Sequence, residues 1–194
     1  MELQHINVKI YVAGELPIAP ARFIDVFHQW VKDQSLEEML IDVADYRHVP
    51  AGPGVLLVGH EADYGMDHAD ERWGLLYNRK APVDGCNADR LRQALGCAVR
   101  ACRLLEDRFA ADGSLKFDGR EFELFVNDRA LAPNTPETYA VCEPELRAFL
   151  SDALGHDDFA LEHRGDPRSR FGVTVKISKP FDLQTLQQKL GAQA

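Results

Sequence analysis

The sequence predicts an α+β fold in which helices cover one face of an antiparallel sheet. The main observation is a pattern that occurs twice, because residues 7–59 and residues 121–177 each read as strand, helix, strand, tight turn and strand. Strands joined by tight turns pair antiparallel, and the helices that connect the outer strands then cover one face. The pattern favours two ferredoxin-like βαββα units in tandem, over 1–110 and 115–194, packed as one compact domain.

The two copies match by pattern and share few identical residues. The first copy opens with the strand 8–12 (VKIYV) and the second opens with 122–126 (FELFV). A chance resemblance between two α+β segments is therefore an alternative to true duplication. The boundary between the copies is predicted at Ala111–Ser114, where a short polar stretch with a glycine favours a turn.

The first half begins with alternating apolar residues that predict a strand over 6–12. Apolar residues then recur at helical spacing and predict a helix that packs against the core. This stripe consists of Phe23, Val26, Phe27, Trp30 and Val31.

Residues 39–49 and 55–64 read as the two strands of a hairpin, closed by a Pro/Gly turn over 50–54. A further strand over 73–77 precedes a long helix, for which Asn87 is the predicted N-cap.

The second half repeats this order with a strand over 121–127 and a helix that ends near Leu154. Pro144 suits the first turn of that helix better than its interior, because proline lacks a backbone N–H. A hairpin covers 159–177, and Asp182 caps a final short helix.

Composition and charge narrow the classes of function. The chain has 194 residues, a formal net charge of −9 and a pI near 5.2. A chain of this length buries roughly 70% of its unfolded surface, so a self-sufficient core is expected. We expect no nucleic-acid partner, because phosphate binding needs clustered Lys and Arg. We also expect no membrane partner, because no apolar stretch approaches the ~20 residues of a spanning helix.

The spacing of the cysteines favours a protein that resides in a reducing compartment. Cys86, Cys97, Cys102 and Cys142 form no C-x-x-C pair, and residues 1–5 have neither a basic start nor an apolar run. Free thiols in the cytoplasm are therefore the expectation. No motif identifies a cofactor, and the cofactor is left open.

Carboxylates and imidazoles are concentrated in the first predicted hairpin and the loop after it. With Val49 opposite Val55, Asp42 would lie diagonal to His60 on one side of the ribbon. Glu61 would then lie on the other side. His60, Asp42 and Glu61 are accordingly the candidate catalytic residues of a metal-assisted hydrolase or lyase that uses the hairpin 42–63. A half-exposed hairpin whose polar face meets water is the alternative, and no residue is assigned as a metal ligand.

Candidate ligand-binding residues lie on both predicted hairpins. The first hairpin contributes Tyr46, Asp63 and Tyr64. The second hairpin turn carries an arginine cluster that could hold a carboxylate or a phosphate, with a solvated turn as the alternative. This cluster consists of Arg164, Arg168 and Arg170.

No sequence motif commits the chain to one chemistry. The absence of a convergent catalytic set favours a protein that binds a small ligand or a protein partner without turnover. If the repeat is real, the groove between the two units is the natural pocket. Open antiparallel sheets leave edge strands, so we expect a homo-oligomer formed through a sheet edge. The metal-assisted enzyme and a structural subunit of an oligomeric assembly are the alternatives.

Overall fold

The computed structural model describes residues 1–49, 52–112 and 115–191, and over these ranges the chain forms one eight-stranded antiparallel sheet and four α-helices. The predicted α+β fold class is confirmed. The strands are β1 (Ile6–Val12), β2 (Leu40–Asp45), β3 (Val55–Gly59), β4 (Ala62–Asp67), β5 (Gly74–Arg79), β6 (Phe117–Val126), β7 (Phe159–His163) and β8 (Phe171–Ile177). The helices are α1 (Arg22–Asp33), α2 (Asn87–Arg108), α3 (Pro136–Leu154) and α4 (Leu183–Gly191).

The strand order is β2-β3-β4-β5-β1-β6-β8-β7, with every neighbouring pair antiparallel. The opening strands of the two halves, β1 and β6, therefore pair with each other near the middle of the sheet. Their register places Lys9 opposite Glu123. The two halves share one continuous sheet.

Alternation along the strands separates an apolar face from a polar one. In β1, Val8 and Ile10 point towards the helices, whereas Asn7, Lys9 and Tyr11 point to the opposite side, which we call the open face. Helix α2 packs across β1 and β5, α1 packs on β2, and α3 packs on β7. All seven residues of β1 are buried, so the open face is also covered at its centre.

Helix α2 begins one residue earlier than predicted. Cys86 is the N-cap, and its backbone N–H donates to the Asp89 carboxylate in a capping box. Asn87 instead fastens the N-terminal segment, because its side chain accepts from the Leu3 N–H and donates to the Met1 carbonyl. The predicted cap at Asp182 is confirmed, since its carboxylate accepts from the Thr185 N–H at 2.8 Å.

The prediction that Pro144 lies in the first turn of its helix is wrong. That place is taken by Pro136, which follows the capping side chain of Thr135, and Pro144 lies inside α3. The helix ends at Leu154, and its C-cap Gly155 has a φ of +78°, the left-handed conformation that glycine adopts without steric cost. The helix tolerates the missing N–H of Pro144 because its apolar side is packed against the core.

The prediction of one strand over 55–64 is also wrong. Strand β3 ends at Gly59, the chain reverses at His60 and Glu61, and β4 returns from Ala62. A Cβ on Gly59 would lie 2.4 Å from the Ala62 carbonyl oxygen, so this reversal depends on glycine.

The β2–β3 register differs from the predicted one by four residues, with Asp45 rather than Val49 opposite Val55. The connecting loop starts earlier because the Tyr46 N–H donates to the Gly54 carbonyl. A shift by an even number keeps the side chains of β2 and β3 on their predicted sides. The reversal at His60 and Glu61 instead moves Asp63 to the other side, where it lies opposite Val58. Pro50 and Ala51 of the predicted turn lie outside the described residues.

The two halves are not equal in strand number over the described residues. The second half has the order β6-α3-β7-β8-α4, and the first half contains an additional hairpin. Two ferredoxin-like units over 1–110 and 115–194 stay a prediction. Gly113 and Ser114 of the predicted boundary lie outside the described residues. None of the helices in the described ranges has the length and apolar character needed to cross a membrane.

The assignment of the two faces can be tested with neighbouring leucines of β3. Leu57 is fully buried on the helix side, and Leu56 is partly exposed on the open face. We expect Leu57→Ala to lower the free energy of unfolding by about 2–5 kcal/mol, because it removes buried methyl groups and leaves a cavity. Leu56→Ala should lower it clearly less, since less apolar area is lost. Urea denaturation measures both, and equal losses would contradict the assignment.

Candidate functional site

A cluster of charged side chains lies at the centre of the open face, where β1 pairs with β6. Lys9, Asp67 and Glu123 are only 3%, 5% and 5% exposed. Lys9 reaches Asp67 across β5, where Gly74 leaves room for it. A Cβ on Gly74 would lie 3.0 Å from Lys9 Cε. The absence of a side chain at Gly74 therefore lets Lys9 of β1 reach the Asp67 carboxylate of β4.

Lys9 and Asp67 form a buried ion pair with 2.5 Å between Nζ and Oδ2. Lys9 also donates to the Ala69 carbonyl at 3.1 Å, and the Asp67 carboxylate accepts from the Ala69 N–H at 3.2 Å. The pair thus fixes the turn over 69–71 that follows β4. Buried charges are stable only when paired and hydrogen-bonded, and both conditions are met here.

Arg164, in the loop between β7 and β8, connects the two halves of the chain. Its guanidinium donates to Glu123 at 2.8 Å and to Asp70 at 2.7 Å. Asp70 and Glu71 have φ of +57° and +58°, a left-handed conformation that is unfavourable for residues with side chains. The ion pair with Arg164 helps to hold this turn against that cost.

Tyr11 closes one side of the cluster. Its ring is buried, and the Arg72 guanidinium lies 3.6 Å from the ring centroid. Arg72 also pairs with Glu121 at 2.8 Å. Burial, together with the nearby Glu123 carboxylate, raises the pKa of Tyr11 well above its usual value. The phenol is therefore a neutral hydrogen-bond donor at physiological pH.

Arg170 lies at the start of β8, with its guanidinium 5.0 Å from the centroid of the Phe125 ring. The Asn7 amide, oriented to complement its neighbours, accepts from Arg170 Nη1 at 2.8 Å and donates to Asn78 Oδ1 at 2.8 Å. Among the described residues, no carboxylate forms an ion pair with Arg170.

The pKa of Arg170 is lowered below its usual value, and burial is the largest cause. The charges of Arg164 and Arg129 act in the same direction, against the opposing effect of Asp67 and Glu123. The environment of Arg170 therefore disfavours its positive charge and would be improved by an anion.

Six charged residues of this cluster line a pocket of about 200 Å³: Lys9, Asp67, Asp70, Glu123, Arg164 and Arg170. Leu76 and Phe125 supply apolar walls, and Ser169 adds a hydroxyl-bearing side chain. Residues from β1, β4 and β5 meet residues from β6 and the β7–β8 loop, so both halves of the chain contribute to the pocket.

The predicted arginine cluster is divided by the structure. Arg164 and Arg170 line the pocket. Arg168 points away from it, with a side chain that is 91% exposed and 3.3 Å from the Asp166 carboxylate.

The three candidate catalytic residues lie outside the charged pocket. His60 is exposed in the turn between β3 and β4, and Asp42 is exposed on the edge strand β2, opposite Val58. Glu61 pairs with Arg79 at 2.9 Å. In the part of the chain that the structure describes, no group of three or more His, Cys, Asp or Glu side chains could hold a metal ion.

The three predicted ligand-binding residues of the first hairpin also lie apart from the pocket. Tyr46 is exposed at the end of β2, and Asp63 pairs with Lys80 at 2.7 Å. Tyr64 is buried on the helix side, where its hydroxyl donates to Glu38 at 2.6 Å. Burial raises the pKa of that Glu38 carboxyl.

Sequence reasoning missed Lys9, Asp67 and Glu123 as site residues. A signal for two of them was present in the sequence. Lys9 is the single charge of the strand over 6–12, and Glu123 is the single charge within the apolar run 122–126. They also occupy equivalent positions in the two aligned copies, the second residue of 8–12 and of 122–126. A charge in the middle of a buried strand indicates a paired partner on another strand.

Comparison with known proteins adds no family assignment. No protein-family model matches the chain, and no curated protein is significantly similar to it.

The buried ion pair can be tested by removing one partner and then both. Lys9→Met leaves the Asp67 carboxylate buried without a counter-charge, so we expect the free energy of unfolding to fall by about 3–5 kcal/mol. The double variant Lys9→Met/Asp67→Leu should recover most of that loss, because it leaves no uncompensated charge. Denaturant unfolding measures both effects.

Lys116→Met is the matched control for this test, since Lys116 is exposed and pairs with Glu106 at the surface. Its effect should stay within about 1 kcal/mol. A double variant as unstable as the single Lys9 variant would show that the pair is not the source of the effect.

Proposed function

We propose that this protein binds a small anionic ligand, without turnover, in the charged pocket at the centre of the open face. The observation that carries the proposal is the unmatched guanidinium of Arg170. It lines the pocket, its charge is disfavoured by burial, and no carboxylate among the described residues pairs with it. A carboxylate or phosphate on a ligand would supply that missing partner.

The other lining charges strengthen this interpretation because they are already paired. Lys9 is matched by Asp67, while Arg164 engages both Asp70 and Glu123. Three cations and three carboxylates line the pocket. Arg164 pairs with two of the carboxylates, whereas Arg170 pairs with none of them. The available positive charge is therefore concentrated on Arg170, even though the whole chain is acidic.

The dimensions of the pocket limit the ligand to a small molecule. Its volume of about 200 Å³ lies below the roughly 300–1,000 Å³ of typical ligand pockets. Phe125 and Leu76 would contact an apolar part of the ligand, and the Arg170 guanidinium could bind a planar carboxylate with two hydrogen bonds.

Binding is better supported than turnover. The phenol of Tyr11 is held neutral, and the carboxylates that line the pocket are engaged with Lys9 or Arg164. The alternative enzyme site on the hairpin has less support, because Glu61 is paired with Arg79.

Titration with inorganic phosphate, acetate and malonate tests the binding proposal. We expect at least one of these anions to bind the wild-type protein in calorimetry, and Arg170→Gln to weaken that binding by about tenfold or more. The basis is that a hydrogen bond to a charged group contributes about 1.5–3 kcal/mol. Arg168→Gln is the matched control and should leave the affinity unchanged, because Arg168 points into solvent.

Asp70→Asn should raise the affinity for the anion, whereas Arg170→Gln lowers it. Removing this carboxylate frees one side of the Arg164 guanidinium, so the same anion should bind more tightly. If none of the anions binds, or if Arg168→Gln weakens binding as much as Arg170→Gln, the proposed site is wrong.

We also propose that the edge strand β2 associates with a second copy of the chain. Met39 and Ile41 are 65% and 52% exposed, and Tyr46 and Val49 are exposed beyond the strand. An edge strand presents unpaired backbone N–H and C=O groups, and a neighbouring row of apolar side chains adds area to bury. A bulge lies between Leu40 and Asp42, so regular pairing would use 42–45.

Light scattering at micromolar concentration tests this association. We expect a dimer for the wild-type protein and a monomer for Ile41→Lys, because a lysine on the edge disfavours strand pairing. Val141→Lys is the control, since Val141 is equally exposed but lies on α3. A wild-type monomer, or the loss of the dimer in both variants, would contradict the proposal.

A further inference from the structure

The charged pocket is electrically neutral as a whole, but its charges are unevenly paired. Three cations and three carboxylates line it. Arg164 pairs with both Asp70 and Glu123, so two carboxylates share one guanidinium. Arg170 pairs with no carboxylate among the described residues. The pocket therefore contains one cation in need of a partner and, elsewhere in its lining, one carboxylate too many for the cation that holds it.

Of the three carboxylates, Asp70 is the one that a ligand can reach. Its side chain is 62% exposed, whereas the side chains of Asp67 and Glu123 are only 7% and 6% exposed. Asp70 Oδ2 accepts from Arg164 Nη2 at 2.7 Å, and no donor among the described residues is bonded to the other oxygen, Oδ1. Asp70 thus has a free acceptor that faces the ligand's side of the ion pair.

Asp70 and Arg170 border the same small space from two different walls. Asp70 belongs to the turn after β4, and Arg170 immediately precedes β8. The guanidiniums of Arg164 and Arg170 lie 5.3 and 5.0 Å from the centroid of one ring, that of Phe125. Because Arg164 holds Asp70 directly, a single small molecule in the pocket lies between a carboxylate on one side and a guanidinium on the other.

A simple anion completes only half of this arrangement. It supplies a partner for Arg170, but it leaves the pocket with a net negative charge, because the lining charges already cancel. Net charge in a partly buried site is unfavourable, since burial removes the water that solvates it. The whole chain, at −9, adds to this repulsion. A ligand that carries one negative and one positive charge avoids the cost.

We propose that the ligand of the charged pocket is a small zwitterion, an amino acid whose carboxylate pairs with Arg170 and whose ammonium group donates to Asp70. This inference rests on the proposed anion site and names the chemical class of its ligand. A short apolar side chain contacts Phe125 and Leu76. The volume of about 200 Å³ is below that of typical ligand pockets and favours an amino acid of about the size of alanine.

Propionate and L-alanine are a matched pair of probes, because L-alanine is propionate with an ammonium group beside the carboxylate. We expect L-alanine to bind the wild-type protein about fivefold more tightly, the effect of one added charge pair at a partly exposed site. L-Lactate, which has a hydroxyl group in place of the ammonium group, should bind more weakly than L-alanine. Chemical-shift titration by protein-observed NMR, at an ionic strength of about 0.01 M to limit screening, measures all three affinities.

Asp70→Asn is the variant that tests the ammonium contact. It leaves the pocket with an excess positive charge, so propionate should bind more tightly and L-alanine should lose its advantage over propionate. Asparagine adopts the left-handed conformation of residue 70 as readily as aspartate, so the turn should be kept. Glu71→Gln is the matched control, because Glu71 lies exposed in the same turn and does not line the pocket. It should keep the preference for L-alanine.

Arg170→Gln separates this inference from the anion site on which it rests, and it should weaken the binding of both probes. If propionate binds through Arg170 but L-alanine binds no better, the zwitterion is wrong and the anion site stands. The same holds if Asp70→Asn keeps the preference, or if Glu71→Gln removes it equally. If neither probe binds, or if Arg170→Gln changes neither affinity, the anion site is wrong and the inference fails with it.

Discussion

Lys9 and Glu123 face each other across the β1–β6 pair, and both carry charge in the buried centre of the sheet. Charges in such a position must be matched, because an unpaired buried ion is strongly destabilising. Lys9 pairs with Asp67 of β4, and Glu123 pairs with Arg164 of the β7–β8 loop. Because of these contacts, the turn over 69–71 and the β7–β8 loop lie on the open face. The charged pocket exists because these two segments cover the seam between the halves without filling it.

The two sides of the sheet have different chemistry because successive residues of a strand point in opposite directions. On β5, Tyr77 meets Gln93 on the helix side, while Leu76 lines the charged pocket. Adjacent residues of one strand thus face different environments, with the charged pocket on the open face and helix α2 on the other.

The predictions from sequence succeeded where a local pattern controls the structure. Alternation identified β1, and the apolar stripe identified α1, because burial of one face enforces those periods. The prediction of one strand over 55–64 was wrong because a single glycine, Gly59, allows a reversal without the Pro/Gly cluster that signals a turn. The arginine cluster was found as a set, but its sequence spacing did not show that Arg168 points away from Arg164 and Arg170.

By itself, the sequence determined the α+β class, the separation of apolar and polar sides along the main strands, and the presence of arginines beside the second hairpin turn. These properties follow from periodicity and from the local preferences of turns, both of which act over a few residues. Only the tertiary structure decided which charges meet. Lys9 pairs with Asp67 from 58 residues away, and Arg164 pairs with Asp70 from 94 residues away. Such contacts depend on strand order and register, which are set by packing of the whole sheet rather than by any local pattern.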